Sequence, residues 1–295
     1  MALDRELLAG EPAAHGDDGA EHEADGSALE VRLLLEAIHA RYGYDLRGYT
    51  PASMHRRVLA ALAKSGLPHL GELQHRIVTD AGFFATLLHD LTVQVSELFR
   101  DPGFYRAFRE KVLPVLRTYP LLRIWHAGCA TGEEPYASAI MLSEAGLYDR
   151  AQIYATDLSA RAIEQAKEGV YPAERLALFA ANYARAGGSA QLEQYFTSAY
   201  EGIALAEPLR RNILFFQHNL VSDHVFGEMH VVFCRNVLIY FGRELRARVL
   251  DKLLAALVPG GFLCLGNAEQ VGADAARRAL GEIDPLERIY RHAPG

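Results

Sequence analysis

The chain is predicted to fold as a doubly wound α/β domain behind a small all-helical domain, with a small antiparallel β subdomain inserted in the α/β part. Three observations predict this. The first hundred residues repeat amphipathic helical patterns separated by cap and proline signals. After Pro120 the rhythm changes to short apolar runs alternating with helices, and runs that are apolar on both faces suit a parallel sheet covered by helices. Between Tyr171 and about Asn212 this alternation breaks for roughly forty residues, too many for a simple connection.

The elements are taken in chain order. Residues 11–28 (EPAAHGDDGAEHEADGSA) hold several acids, no Lys or Arg, and almost nothing that could enter a core, so residues 1–28 are predicted to be a disordered acidic tail. A helical domain is expected over 29–95. LEVRLLLEAIHARYG places Leu29, Leu33, Leu34, Ile38 and Tyr42 on one stripe. Thr50 and Pro51 form an N-cap and first helical position for PASMHRRVLAALAKSG, which Gly66 closes. Two more helices are expected around 70–79 and 81–92, the second capped by Asp80. Residues 96–120 read as a linker and a helix that starts at Asp101-Pro102 and kinks at Pro114.

From 121 to 295 the apolar runs LLRIWHA, QIYAT, ILFFQH, HVVFC and GFLCLG alternate with EPYASAIMLSEAG, SARAIEQAKEG and the helix after Phe241. The last run, ERIYRHA, is expected to be an antiparallel strand hairpinned onto the sheet edge. The inserted subdomain spans about 171–212, where QLEQYFTSAYEGIALA reads as a short helix and a small antiparallel element.

Composition excludes several classes. The net charge is −7 and no segment has the dense Lys/Arg clustering of a nucleic-acid footprint. Cys129, Cys234 and Cys264 are far apart, with no CxxC and no His at zinc-ligand spacing, so a reduced intracellular protein without a metal is expected. No apolar run reaches membrane-spanning length and no leader pattern opens the chain, so it is expected to be soluble, cytoplasmic and not inserted in a membrane.

In a doubly wound sheet, ligands bind beyond the carboxyl ends of the strands at the switch in strand order. After the first strand comes His126-Ala127-Gly128-Cys129-Ala130-Thr131-Gly132-Glu133-Glu134. Small residues there let backbone pass close to a ligand, while two glutamates would repel a pyrophosphate and favour an ammonium group; equally, they could merely complement the helix dipole. The second strand ends at Asp157, where an acid can grip a ribose diol or cap the next helix in competition with Ser159. Asn219-Leu220 ends the third strand and can bond and cover a purine; Arg235-Asn236 ends the fourth. Together these groups point to an adenosine carrying an amino-acid tail.

TVQVSELFRDPGFY, WHAGCATGEEPYA, ATDLS, CRNVLIYF and GNAE, in this order and spacing, closely resemble the chemotaxis receptor glutamate methyltransferases, the CheR family. YGYDLRGYTPASMHRRV resembles that family's N-terminal domain, and the similarity runs from about residue 30 to the C-terminus. The resemblance implies a Rossmann-like class I methyltransferase sheet and S-adenosyl-L-methionine as cofactor, with S-adenosyl-L-homocysteine as product. It implies cofactor contacts from Glu134, Asp157, Asn219, Leu220, Arg235 and Asn236, and from the linker residues Gln94, Ser96 and Arg100. Gln94 and Ser96 stand where the family pattern T-x-N-x-T-x-F-F-R has Asn and Thr, and Leu98 stands for its first Phe. Ala268 stands in GNAE where the family often has Ser, which leaves the role of Glu269 open.

The resemblance further implies methyl transfer to a glutamate carboxylate in the helical cytoplasmic region of a chemoreceptor-like protein, tuning chemosensory signalling. Such a carboxylate is already ionised near neutral pH, so no general base is required. Arg100 and Tyr240 are the candidates to surround it. A base methyltransferase would want an (N/D)PP(Y/F)-type turn after the fourth strand, which Cys234-Arg235-Asn236-Val237 does not provide. The alternative is a catalytically weak regulatory module that binds the same cofactor. Arg56, Arg57 and Lys64 on the helix from Pro51 are the candidate docking residues. Tyr195-Phe196 is followed by a loop shorter than in relatives that bind a receptor-tail pentapeptide, with only Gly202 of the three glycines in their GxGxxxG turn. A monomer working without that tether is expected.

Overall fold

A computed structural model of the chain describes residues 18–92, 96–199, 202–225, 227–272 and 280–293. Helix α1 (Asp18–Tyr42) starts at Asp18 rather than 29, so the expected disordered tail cannot extend through 28; residues 1–17 lie outside the described residues. Once the packed half of a helix exists, each added residue gains a backbone bond without a new nucleation cost, so the helix outruns the apolar pattern that predicts it. The stripe is also displaced. Leu34 and Ile38 are buried, but Val31 and Leu35 join them, while Leu29 and Leu33 stay 48% and 51% exposed. At 3.6 residues per turn those two leucines face away from the stripe that packs on the neighbouring helices.

Helices α2 (Pro51–Ser65), α3 (Leu70–Thr79) and α4 (Ala81–Leu91) complete this domain around a core that includes Val58, Leu73, Ile77 and Leu88. Asp80 caps α4 by accepting from Phe83 N at 3.0 Å. Thr50 does not cap α2 through its side chain. Its N–H donates instead to Tyr240 O at 2.9 Å, and Tyr49 forms an isolated antiparallel bridge with Phe241, so the segment ahead of α2 is committed to the other domain.

The linker helix divides into α5 (Pro102–Lys111) and α6 (Leu113–Leu116). The break falls at Val112, just ahead of Pro114, because a proline ring clashes with the carbonyl four residues earlier. The α/β domain then runs β1 (Leu122–Ala127), α7 (Glu133–Glu144), β2 (Ala151–Asp157), α8 (Ala160–Glu168), β3 (Val170–Tyr171), α9 (Leu176–Arg185), β4 (Phe196–Ala199) and β5 (Gly202–Leu205). It continues with β6 (Ile213–Gln217), β7 (Met229–Cys234), α10 (Arg243–Ala255), β8 (Leu257–Leu265), β9 (Leu280–Asp284) and β10 (Ile289–His292).

The main sheet has the order β6-β2-β1-β7-β8-β10-β9, and its first five strands are parallel. The order reverses between β1 and β7, which places the switch point there. One face packs Phe104, Phe108, Ile140 and Phe233; the other packs Trp125, Val232, Leu253 and Leu263. The ERIYRHA strand is antiparallel, as expected, but does not form the edge. β10 lies between β8 and β9, since it carries the buried Ile289 and Tyr290 while β9 exposes Gly281 and Glu282.

The inserted subdomain is a three-stranded antiparallel sheet, β3-β5-β4, with α9 packed beside it. The expected short helix at QLEQY is a 3₁₀ turn, and the true helix is the earlier LALFAANYAR, whose Phe179 and Tyr183 are buried. Ala199 pairs with Gly202 across the hairpin, and Tyr200 and Glu201 between them lie outside the described residues. Gly202 has φ +148°, and a Cβ there would sit 2.1 Å from Tyr171 O, so this glycine lets β3 close against β5.

Candidate functional site

The carboxyl ends of β1, β2, β6 and β7 open into one cleft, bounded by Tyr49 and Arg57 of the helical domain and by the linker residues Ser96 and Arg100. Glu134, Asp157, Asn219, Leu220, Arg235, Asn236 and Tyr240 also line it. Gln94, the remaining sequence-predicted contact, lies outside the described residues.

The turn after β1 is held at both ends. Gly128 has φ +82°, and a Cβ there would meet Val237 Cγ2 at 2.4 Å, so the turn passes tightly under the loop after β7. Ala130 takes φ +47°, and its N–H donates to Asp157 Oδ2 at 2.9 Å. Asp157 Oδ1 accepts from Ser159 N at 2.9 Å, while Ser159 itself caps α8 by accepting from Ala162 N. Asp157 therefore braces the turn from within the cleft lining. The strained backbone clusters here. Ala130 and Asn236 line the cleft in left-handed conformation, and Phe99 and Asp101, also left-handed, bracket Arg100.

The two glutamates that open α7 do different work. Glu133 is fully buried and turns away from the cleft, where Arg175 meets it at 2.8 Å and Thr131 Oγ1 donates to it at 2.7 Å. Arg175 also donates to Ser96 O, so it ties the inserted subdomain to the linker wall. Glu134 faces the cleft. His126 Nδ1 donates to Glu134 Oε1 at 2.8 Å, and Arg235 Nη1 lies 3.5 Å from Oε2. Burial opposes ionisation of Glu134, but the His126 hydrogen bond and the Arg235 guanidinium outweigh it and hold the carboxyl below its usual range. Arg235 is nearly inaccessible, pairs with Asp101 Oδ2 at 2.9 Å and covers the Phe104 ring at 4.0 Å.

At the other end, Asn219 Oδ1 accepts from Val221 N at 2.9 Å, which closes a local turn and leaves the amide NH₂ beside Leu220 for a ligand. Lys252 fixes the same loop by donating to the carbonyls of Leu220, Val221 and Asp223. Glu269, left without a role by the sequence, is 2% exposed and accepts from Gly266 N, Asn236 N, Val237 N and Ile239 N. It holds the loop that presents Asn236 and the 3₁₀ turn Leu238–Tyr240. Burial pushes the Glu269 carboxyl up, and the backbone donors pull it only part of the way back.

The structure places the three candidate docking residues in different surroundings. Arg56 is exposed, and Lys64 is exposed but paired with Asp90 at 2.6 Å. Arg57 is not on a solvated face: it lines the cleft, donates to Leu91 O at 2.8 Å and stacks over the Tyr240 ring at 4.3 Å. Residue spacing places all three on one helix, and the contacts of Arg57 with Leu91 and Tyr240 separate it from the other two. Arg175, His126 and Tyr105 are parts of the site that sequence reasoning missed; Arg175 meets Glu133 from 42 residues away in the chain.

The "CheR methyltransferase, all-alpha domain" model matches residues 29–92, and the "CheR methyltransferase, SAM binding domain" model matches residues 94–282. The chain belongs to the CheR methyltransferase family. It is 43% identical over 263 residues to the Pseudomonas putida protein Cher3, covering 89% of this chain and 96% of that one. With chemotaxis protein methyltransferase 1 of Pseudomonas aeruginosa it shares 33% identity over 251 residues, covering 81% and 86%. The likeness to the N-methyltransferase NodS of Bradyrhizobium japonicum, solved with S-adenosyl-L-homocysteine, is weaker, at TM-score 0.38 and 14% identity over 67% of this chain and 89% of that one.

The family, the fold and the S-adenosylmethionine cofactor expected from the motifs are thus borne out. The donor set of the cleft fits that cofactor. The Glu134 carboxylate can meet an ammonium group, Asp157 a diol, and Asn219-Leu220 a purine, and all four residues line the cleft. Among the described residues no helix is long and apolar enough to cross a membrane, and no His, Cys, Asp and Glu group is arranged to hold a metal ion.

Proposed function

We propose that this CheR-family methyltransferase esterifies glutamate side chains in the helical cytoplasmic region of a chemoreceptor-like protein. The observation that carries the reading is the meeting of Arg100, Arg57 and Tyr240 at the mouth of the cofactor cleft, where the two domains join. When bound, S-adenosylmethionine supplies an electrophilic methyl group. The residues of the chain then have two tasks. Ser96, Arg100, Glu134, Asp157, Asn219, Leu220, Arg235 and Asn236 hold the cofactor, and Arg100, together with Tyr240, also holds the acceptor. An acceptor glutamate arrives ionised, so orientation and removal of water, rather than proton abstraction, are what the site must provide. Arg100 contributes a guanidinium and Tyr240 a hydroxyl, and Arg57 keeps the tyrosine ring in place by stacking on it. Arg56 and Lys64 remain as exposed cations on the same helix. Docking is taken to run mainly through the helical domain, with no receptor-tail tether, because the β4–β5 hairpin is joined by only two residues.

The test is incubation with methyl-labelled S-adenosylmethionine and a purified receptor cytoplasmic fragment, intact or lacking its C-terminal tail. Base-labile label on receptor glutamates, at equal rates for the two fragments, is expected. Absence of such label would remove the glutamate assignment in favour of a regulatory cofactor-binding module, and a large drop on tail removal would overturn the tether-free docking. Tyr240→Phe is expected to lower turnover about tenfold with little change in cofactor affinity, as for loss of one hydrogen bond to a charged acceptor. Parental turnover in that variant would take Tyr240 out of the mechanism.

A further inference from the structure

Among the described residues, the buried polar atoms without a hydrogen-bond partner include the Tyr105 hydroxyl and Arg235 Nε, both beside the cleft. Tyr105 is 0% exposed yet lines the cleft. Its ring is fixed edge-on against Phe99 at 5.0 Å and against Phe104 at 5.1 Å, so the hydroxyl has one direction available. An unsatisfied buried hydroxyl costs stability, and a phenylalanine would fill the same space without that cost. The hydroxyl sits in the charged cluster of Glu134, Asp101 and Arg235, with the Arg235 guanidinium 5.9 Å from its ring centre.

We propose that the Tyr105 hydroxyl is a cofactor-binding group that donates a hydrogen bond to the carboxylate of the amino-acid end of the bound cofactor. Glu134 in the cleft lining offers the ammonium an anionic acceptor. A donor is then needed for the neighbouring carboxylate, and the Tyr105 hydroxyl and Arg235 Nε are buried donors beside Glu134 without a partner among the described residues. Burial pushes the phenol far above its ordinary range, so it remains a protonated donor at every working pH. This inference rests on the cofactor reading and is independent of which protein accepts the methyl group.

The experiment is Tyr105→Phe in the full chain, with calorimetric titration by S-adenosyl-L-homocysteine and, separately, by 5′-methylthioadenosine, which lacks the amino-acid end. The variant is expected to fold with an equal or higher melting temperature, to bind S-adenosyl-L-homocysteine about tenfold more weakly, and to bind 5′-methylthioadenosine as the parent does. Unchanged affinity for S-adenosyl-L-homocysteine would overturn the proposal. So would equal weakening toward both ligands, which would mark Tyr105 as packing alone. Failure of the parent to bind S-adenosyl-L-homocysteine would strike the cofactor reading instead, and failure to methylate receptor with binding intact would strike only the acceptor reading.

Discussion

Replacing Arg175 by alanine is expected to lower the thermal midpoint by roughly 6–15 °C. Glu133 is fully buried and its carboxylate meets Arg175 at 2.8 Å. Removing only the cation leaves a buried charge with the Thr131 hydroxyl as its remaining side-chain partner among the described residues, which typically costs about 3–5 kcal/mol. The loss should not stay local. Arg175 also donates to Ser96 O and stacks on Phe179 at 4.8 Å. The linker wall of the cofactor cleft should therefore loosen, and affinity for S-adenosyl-L-homocysteine should fall along with stability. Scanning calorimetry of Arg175→Ala and of the pair Arg175→Ala with Glu133→Gln checks this. The pair should recover much of the loss, since the uncompensated charge is gone. A single variant that melts with the parent would show that this ion pair holds nothing together.

Arg100→Ala is expected to reduce methyl transfer at saturating cofactor by at least about a hundredfold, the scale of losing one preorganised charge-stabilising donor. Two left-handed residues bracket Arg100, and Phe99 is anchored in the core against Tyr105 and Tyr183, so the backbone delivers this guanidinium to the cleft at the expense of strain. On the proposed function it faces both the cofactor and the acceptor carboxylate. Single-turnover rates with cofactor well above its dissociation constant separate the two roles, because a binding defect alone disappears on saturation. Arg100→Lys should lie between parent and alanine, having the charge without the planar fork. A parental single-turnover rate in Arg100→Ala would remove this residue from the chemistry.

Much of the architecture was legible before folding. Five parallel strands, the helices between them and the caps at Asp80, Ser159 and Gly66 arise from local pattern and local bonding. The cleft residues could be read from strand ends, because in a doubly wound sheet each strand terminus is a position in space as well as in sequence. Where the expectations failed, the deciding partner was remote. The ERIYRHA run could be recognised as a strand, but its place between two others depends on which strand is more apolar once all are present. Thr50 has the chemistry of a cap, yet its backbone is claimed by Tyr240.

The same division holds for the site. By itself the sequence determined the chemical groups at each strand end, hence an adenosine with an amino-acid tail, since these are set by residue type and by distance along one strand. Only the tertiary structure decided between neighbours of like kind. It sent Glu133 inward to Arg175 and Glu134 to the cleft, and it put Arg57 over Tyr240 while leaving Arg56 in solvent. It also gave Glu269 its backbone donors and, among the described residues, left the Tyr105 hydroxyl without a hydrogen-bond partner. The reason is geometric. Adjacent residues on a helix point about 100° apart, so identical side chains meet different surroundings, and burial and charge pairing are properties of those surroundings rather than of the chain order.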